Sequence, residues 1–344
     1  MIDYKKSGVD IQAGDDLVSW LQNPPINPIP PTNLNFSKSD VPDYRKRVIS
    51  GIGGFAALFD GHFSDMKHPV LVSCTDGVGT KVKLASYFKD FSGVGQDLVA
   101  MCANDLICTG GTPLFFLDYY AVGKLEVKAA QDFLTSVKLA CENSHMVLIG
   151  GETAEMPGVY QVGDFDCAGF SVGVVDKEKM WGPHLAQDGD LILGLDSSGF
   201  HSNGYSLIRK VFESEYNQYR QWLMEPTRLY VEAAIVLKKE FEIHAMAHIT
   251  GGGIDNLPRV LPNHLKAIVK KWELPDCFKE VMKRANISDQ NMRETFNCGI
   301  GLMVIIKPDQ AESAKVRLEQ IGYKSQILGV LKPKTMDESH VEWA

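Results

Sequence analysis

The chain has 344 residues, of which 44% are hydrophobic and 23% charged, and a formal net charge of -8 at pH 7. That length exceeds one compact core and predicts two domains, while the negative balance argues against nucleic acid or an anionic membrane surface as the main partner. No apolar run approaches membrane-spanning length, and Met1-Ile-Asp-Tyr-Lys-Lys lacks an apolar signal core, so a cytoplasmic protein is expected. Seven cysteines with no CxxC pair predict reduced thiols, and the nine histidines show no zinc-ligand spacing.

In chain order, Asn23-Pro-Pro-Ile-Asn-Pro-Ile-Pro-Pro31 excludes a continuous helix and reads as an extended connection. The glycine-rich loop 51–56, with Gly53 and Gly54, reads either as a lid over a nucleotide or as an ordinary flexible connection. Pro69-Val-Leu-Val-Ser73 then has the character of a buried strand and runs into Thr75-Asp-Gly-Val-Gly-Thr-Lys81. Gly77 and Gly79 allow a tight turn and close approach to a polyanion, Asp76 offers a hard oxygen to Mg2+, and Lys81 supplies a compact cation for phosphate. The alternative is a plain Asp-Gly turn.

Residues 95–111 read as a helix with Asp97 in its first turn and a glycine pair at its end. Asn104 and Asp105 follow two turns on, interrupting an otherwise apolar segment. Asp97 reads as an N-cap or a buried acid, and Asn104 and Asp105 as solvated or site-forming. Val147-Leu-Ile-Gly-Gly-Glu152 repeats the pattern of a strand running into glycine and acid. Asp76, Asp105 and Glu152 together are the oxygen ligands expected of a site for Mg2+ and a nucleoside triphosphate such as ATP. Glu155 reads as a local cap or salt-bridge partner.

Further on, Asp188-Gly-Asp190 marks a turn before a strand at 191–195. Helices are expected near 203–214, 228–239 and 308–321, with strands near 265–271 and 300–306, an alternation that argues for α/β layers. Cys298 reads as a small buried hydrophobe in a strand, since no base partner is visible to make it a nucleophile. Ser197-Ser-Gly-Phe-His-Ser-Asn-Gly-Tyr205 brings hydroxyls, an amide and glycines to a helix start, where a phosphate monoester fits, with Ser202 or Asn203 also able to cap. His201 has no capping role and reads as a general acid or base, a positioning group, or a structural hydrogen-bonding residue.

With these residues in place the chain resembles the phosphoribosylformylglycinamidine cyclo-ligase (aminoimidazole ribonucleotide synthetase) family over nearly its whole length. The resemblance is carried by Tyr4 with Gly8-Val-Asp-Ile11, Thr75–Lys81, Asp97–Cys102, Asn104-Asp-Leu106, Pro113–Tyr120, Gly150–Gly158, Ser197–Leu207, Pro226-Thr-Arg228, Ile249–Gly253 and Phe296–Gly299. It implies a two-domain α/β (α+β) fold. Residues 1–175 would form an N-terminal domain that binds ATP and Mg2+ and pairs its sheet across a homodimer; residues 176–344 would form a C-terminal mixed-sheet αβ domain contributing to substrate binding. ATP would be bound by Thr75, Asp76, Gly77, Gly79, Thr80, Lys81, Asp97, Asn104, Gly53 and Gly54, and metal by Asp76, Asp105 and Glu152. The substrate, formylglycinamidine ribonucleotide, would be bound by Ser198, Gly199, His201, Ser202 and Asn203, with His201 and Lys81 catalytic. The implied reaction is ATP-dependent closure to aminoimidazole ribonucleotide through a phosphorylated amide, in de novo purine biosynthesis.

Two stretches depart from that family: the Pro-rich connection is longer and less basic than usual, and Gly251–Pro258 is one residue shorter, with Asp255 where a Glu is expected. Selenophosphate synthetase and thiamine-phosphate kinase share the acidic motifs, but the former is expected to carry a reactive cysteine near its N-terminus and the first here is Cys74. A non-catalytic ATP-binding subunit is the structural alternative.

Overall fold

The computed structural model describes residues 11–22 and 44–344, so the Pro-rich connection and the Tyr4 and Gly8 motif residues lie outside the described residues. Helix α1 (Ile11–Gln22) and a two-stranded ribbon of β1 (Val48–Ser50) and β2 (Leu58–Phe59) precede a four-stranded sheet. That sheet contains β3 (Pro69–Gly77), β4 (Thr112–Val122), β5 (Val147–Glu155) and β6 (Phe165–Asp176) in the order β3-β6-β4-β5. The β4–β5 pair is parallel, with α4 (Val127–Asn143) as its crossover, and the other pairs are antiparallel.

Between β3 and β4 lie α2 (Val82–Phe88) and α3 (Val94–Ile107). Twelve of the fourteen α3 residues are buried, because the helix is apolar nearly all round and packs on both halves of the molecule. One continuous apolar core accordingly joins Leu98 and Cys102 of α3 to Leu193, Val231 and Leu302 of the C-terminal half. Among the described residues no α-helix packs on the opposite face of the four-stranded sheet, where Leu71 is 67% and Phe170 44% exposed.

The C-terminal half comprises β7 (Leu191–Asp196), α5 (Tyr205–Val211), α6 (Arg220–Met224), α7 (Val231–Glu240), β8 (Ile243–His248), β9 (Leu265–Val269), α8 (Asp276–Ala285), α9 (Asp289–Thr295), β10 (Ile300–Ile306), α10 (Ala311–Gln320), β11 (Ser325–Pro333) and β12 (Val341–Trp343). Its strands form a mixed six-stranded sheet in the order β12-β9-β11-β7-β10-β8. The expected strands at 191–195, 265–271 and 300–306 are all present. The helix expected near 203 starts at Tyr205, because Gly204 adopts a left-handed φ of 74° that no helical residue shares. Beyond the expected elements, β8, β11, β12, α6, α8 and α9 complete this half. Cys298 is buried in the turn before β10 at a φ of 51° and not in a strand, and burial pushes its thiol up to about 12. All seven cysteines are free. No helix among the described residues is long and apolar enough to cross a membrane.

Candidate active site

The chemically distinctive groups meet where the two sheets face each other across α3. Asp76 is the penultimate residue of β3, and its Oδ1 accepts the Gly77 amide at 2.7 Å. Burial, and then the negative charge of Asp105, raises its carboxyl above the ordinary value; the Gly77 amide and His248 only partly oppose this. Asp105, one face of α3 nearby, accepts His248 Nδ1 at 2.8 Å. The other nitrogen of the His248 ring lies 3.5 Å from Asn104 Nδ2. Two half-buried carboxylates repelling one another are a hard-oxygen donor pair that a divalent cation would stabilise, so these residues fit Mg2+.

Glu152 stands elsewhere in the subunit. The register runs Asp76–Gly169–Asp118–Gly151 straight across the sheet, which puts Glu152 three strands away, about 14 Å, and one residue further along on the opposite, helix-free face. A single chain therefore does not bring the three expected metal ligands together. Among the described residues, the one trio of His, Cys, Asp or Glu ligand atoms within 4.8 Å is His68, Asp176 and Glu178, far along β3 and β6 at the other end of the strands. Asp118 shares the Asp76 row and is buried; lack of solvation pushes its carboxyl up to about 7.

Lys81 and Asp97, expected to face ATP, instead find each other in the interior. Both side chains have no exposure, and the ammonium lies 2.8 Å from Asp97 Oδ2. Lys81 Nζ donates to Asp97 Oδ1 at 2.9 Å, to the His201 carbonyl at 3.2 Å and to the Glu225 carbonyl at 2.7 Å, which uses all three of its hydrogens. Asp97 also accepts the Thr227 amide at 2.7 Å, the Thr227 hydroxyl at 2.6 Å and the Ser202 hydroxyl at 3.1 Å. Gly93, not Asp97, caps α3. The result is a buried ionic latch that ties α3 to the Ser197–Tyr205 segment and to the loop after α6. Asn104 reinforces it, donating to the Arg228 carbonyl and accepting the Tyr230 amide.

The Ser197–Tyr205 segment is correspondingly folded inward. His201 is buried at a φ of 61°, and its Nε2 accepts the Ser198 amide at 3.2 Å. Burial first, and then the nearby charges of His248, Lys81 and Arg228, hold its imidazole well below the usual histidine value, so the ring is neutral with its proton on Nδ1. Ser198 donates to the Pro226 carbonyl at 2.6 Å, and Gly199 lies at a φ of 152° with its carbonyl bonded to Asn297. Asn203 alone of the polar group lacks a strong tether: its Nδ2 lies 3.9 Å from Met101 Sδ. Its Oδ1 faces the Gly251 turn.

The turn after β3 opens the other way. Gly79 and Thr80 are exposed and line a groove of about 510 Å3 together with Lys83, Tyr160, Gln161 and Asp164. Gly79 adopts a φ of 69°, which a side chain would strain. Thr75 is exposed on the helix-free face of β3, whereas Gly77 is half-buried beneath the Cys167 carbonyl. Gly53 and Gly54 sit at the far edge of the sheet, where Gln22 of α1 donates to the Ile52 carbonyl at 3.1 Å, away from Asp76. Asp255 is exposed on a short helical turn, Gly253–Val260. Sequence reasoning did not single out His248, Asp118, Glu225 or Thr227; Thr227 had a visible signal in Pro226-Thr-Arg228, but its partner is distant in the chain.

The chain is thus a two-sheet α/β protein with an acid pair at a strand end, a glycine turn on a groove and a polar loop from the second sheet. The chain belongs to the AIR synthase related protein family: the N-terminal domain of that family matches residues 34–175 and the C-terminal domain residues 187–342. Among solved structures, thiamine-monophosphate kinase from Stenotrophomonas maltophilia superposes with a TM-score of 0.65 at 19% identity, covering 87% of this chain and 92% of that one. The hydrogenase maturation protein HypE of E. coli gives 0.63 at 14% identity, covering 85% and 88%. A HypE structure in complex with ATP gives 0.61 at 16% identity, covering 85% and 82%. At these identities the likeness is one of fold.

Proposed function

We propose that this protein is the cyclo-ligase of its family, closing formylglycinamidine ribonucleotide to aminoimidazole ribonucleotide with conversion of ATP to ADP and phosphate. The observation that carries the reading is the acid pair Asp76 and Asp105 at the strand end, beside a glycine turn, with the Ser197–Tyr205 loop tied to the same helix α3 through Ser202 and Asp97. ATP use is supported by that donor set, by the exposed Gly79–Thr80 turn and by likeness to a fold-relative solved with ATP.

Amide oxygen is a poor leaving group, so ring closure needs it phosphorylated. The γ-phosphoryl of ATP passes to the amide oxygen, the amidine nitrogen attacks the resulting imidate carbon, and phosphate departs. Mg2+ held by Asp76 and Asp105 would neutralise triphosphate charge. The Gly79 and Thr80 turn would bind phosphate through backbone and hydroxyl groups, and Asn203 would orient the ribonucleotide from the second sheet. In this conformation Lys81, Asp97 and Ser202 hold the two halves in register, and His201, neutral and hydrogen-bonded to the Ser198 amide, shapes the substrate loop.

We further propose a homodimer that covers the helix-free face of the four-stranded sheet, on which Leu71, Phe170 and Glu152 lie. The second reading, a thiamine-monophosphate kinase type of phosphoryl transfer, is favoured only by fold likeness. Purified protein incubated with ATP, Mg2+ and either formylglycinamidine ribonucleotide or thiamine monophosphate separates the two.

A further inference from the structure

We propose that His68, Asp176 and Glu178 form a binding site for a divalent transition metal such as Zn2+, separate from the acid pair and independent of the cyclo-ligase reading. One ligand atom from each lies within 4.8 Å of the other two. They come from two segments that the sheet holds side by side: His68 immediately precedes β3, Asp176 ends β6, and Glu178 lies in the helical turn Lys177–Lys179 that follows. The register pairs Pro69 with Asp176, and the Lys177 amide donates to the His68 carbonyl at 2.9 Å, so the trio is fixed by backbone and not assembled by the ion.

Asp176 is the anchor. It is 8% exposed, and its Oδ2 accepts the Lys67 amide at 2.8 Å, while Oδ1 has only long contacts, 3.4 Å to the His68 amide and 3.5 Å to the Glu178 amide. A carboxylate offers about four lone-pair positions, so these contacts orient the group and leave it able to ligate. His68 and Glu178 are about half-exposed and meet at 2.6 Å between Nδ1 and Oε1. Metal bonds of about 2.0–2.1 Å in tetrahedral geometry set neighbouring ligand atoms about 3.4 Å apart. The two exposed side chains can open by that much, and the ion then takes the place of the hydrogen they share, which leaves to solvent as a proton.

The donor set narrows the ion. Mg2+ and Ca2+ seek oxygen alone, whereas one imidazole with two carboxylates suits Zn2+ and its neighbours. Charge agrees: the two carboxylates face one ammonium, Lys67 Nζ at 3.9 Å from Glu178, and neither Lys177 nor Lys179 makes an ion pair with them among the described residues. Three protein ligands on an exposed rim leave the remaining coordination to water. Bound here, the ion staples the start of the edge strand β3 to the end of β6, at the opposite end of β3 from Asp76.

The test is isothermal titration calorimetry of the full chain with Zn2+ in excess Mg2+, which is expected to show one Zn2+ per chain. Replacing even a residue behind a metal ligand costs about 10–100-fold in affinity, so removing a ligand itself, in His68→Ala or Glu178→Gln, should weaken Zn2+ at least about 100-fold. Both positions are exposed, so neither change disturbs the core. Co2+ in place of Zn2+ should give visible d–d bands that His68→Ala abolishes, which reports imidazole ligation directly. Absence of Zn2+ binding, or an isotherm unchanged by both substitutions, would overturn the proposal. So would an affinity that falls with Asp76→Asn and not with His68→Ala, since that places the ion at the acid pair.

Discussion

Replacing Lys81 by Met asks whether this lysine is a structural latch or a phosphate ligand. The side chain has no exposure and its ammonium makes an ion pair and three hydrogen bonds. Met fills a similar volume, so the change removes charge and donors with little cavity. It leaves the Asp97 carboxylate buried without its cation and two carbonyls, of His201 and Glu225, without their donor. Breaking one partner out of a buried pair costs about 3–5 kcal/mol. Three other donors, two from Thr227 and one from Ser202, still solvate Asp97, so the lower end of that range is expected. Urea unfolding followed by tryptophan fluorescence reads the loss as a fall in midpoint. Adding Asp97→Asn removes the stranded charge, and the double variant should recover at least about 1 kcal/mol relative to Lys81→Met alone. A variant with parental stability but abolished turnover would refute the latch and return Lys81 to the phosphates.

Four further outcomes follow from the geometry. Asp76→Asn and Asp105→Asn should each lower ATP-dependent turnover by about 100-fold or more while leaving stability unchanged or raised, since each relieves carboxylate repulsion; steady-state kinetics with unfolding curves check both. Asn203→Ala should raise KM for the ribonucleotide with little change in KM for ATP, whereas Ser202→Ala should act mainly on stability. Asp118 is protonated in the fold up to about 7 but ionised in the unfolded chain above 3.8, so its contribution falls as pH rises between those values and is flat above. Asp118→Asn should remove that slope and gain at most about 4 kcal/mol above pH 7, measured by urea unfolding at pH 5 and pH 8. Sedimentation at micromolar concentration should show a dimer that Leu71→Asp with Phe170→Asp converts to monomer.

Local pattern carried much of this fold. The run Ile300–Ile306 is apolar throughout and is a fully buried strand with the expected limits, and the helix with Asp97 in its first turn spans Val94–Ile107. The acids beside glycines were equally visible as sequence. What they touch was not, because Asp97 meets Thr227 across 130 positions and Lys81 meets Glu225 across 144. Strand alternation likewise hides until register is known: Glu152 resembles Asp76 in its local motif yet points to the other face of the sheet. His201 is held inward by its positive φ and the Ser198 amide, and its carbonyl accepts Lys81 from 120 positions away.

Cyclo-ligase activity is measured by following ADP and product formation when the purified chain is given ATP, Mg2+ and formylglycinamidine ribonucleotide, with thiamine monophosphate as the rival acceptor. Aminoimidazole ribonucleotide and ADP are expected in equal amounts, dependent on the ribonucleotide, with no phosphorylation of thiamine monophosphate. ATP consumed with thiamine monophosphate as acceptor, or no turnover with the ribonucleotide by a folded protein, would contradict the cyclo-ligase reading.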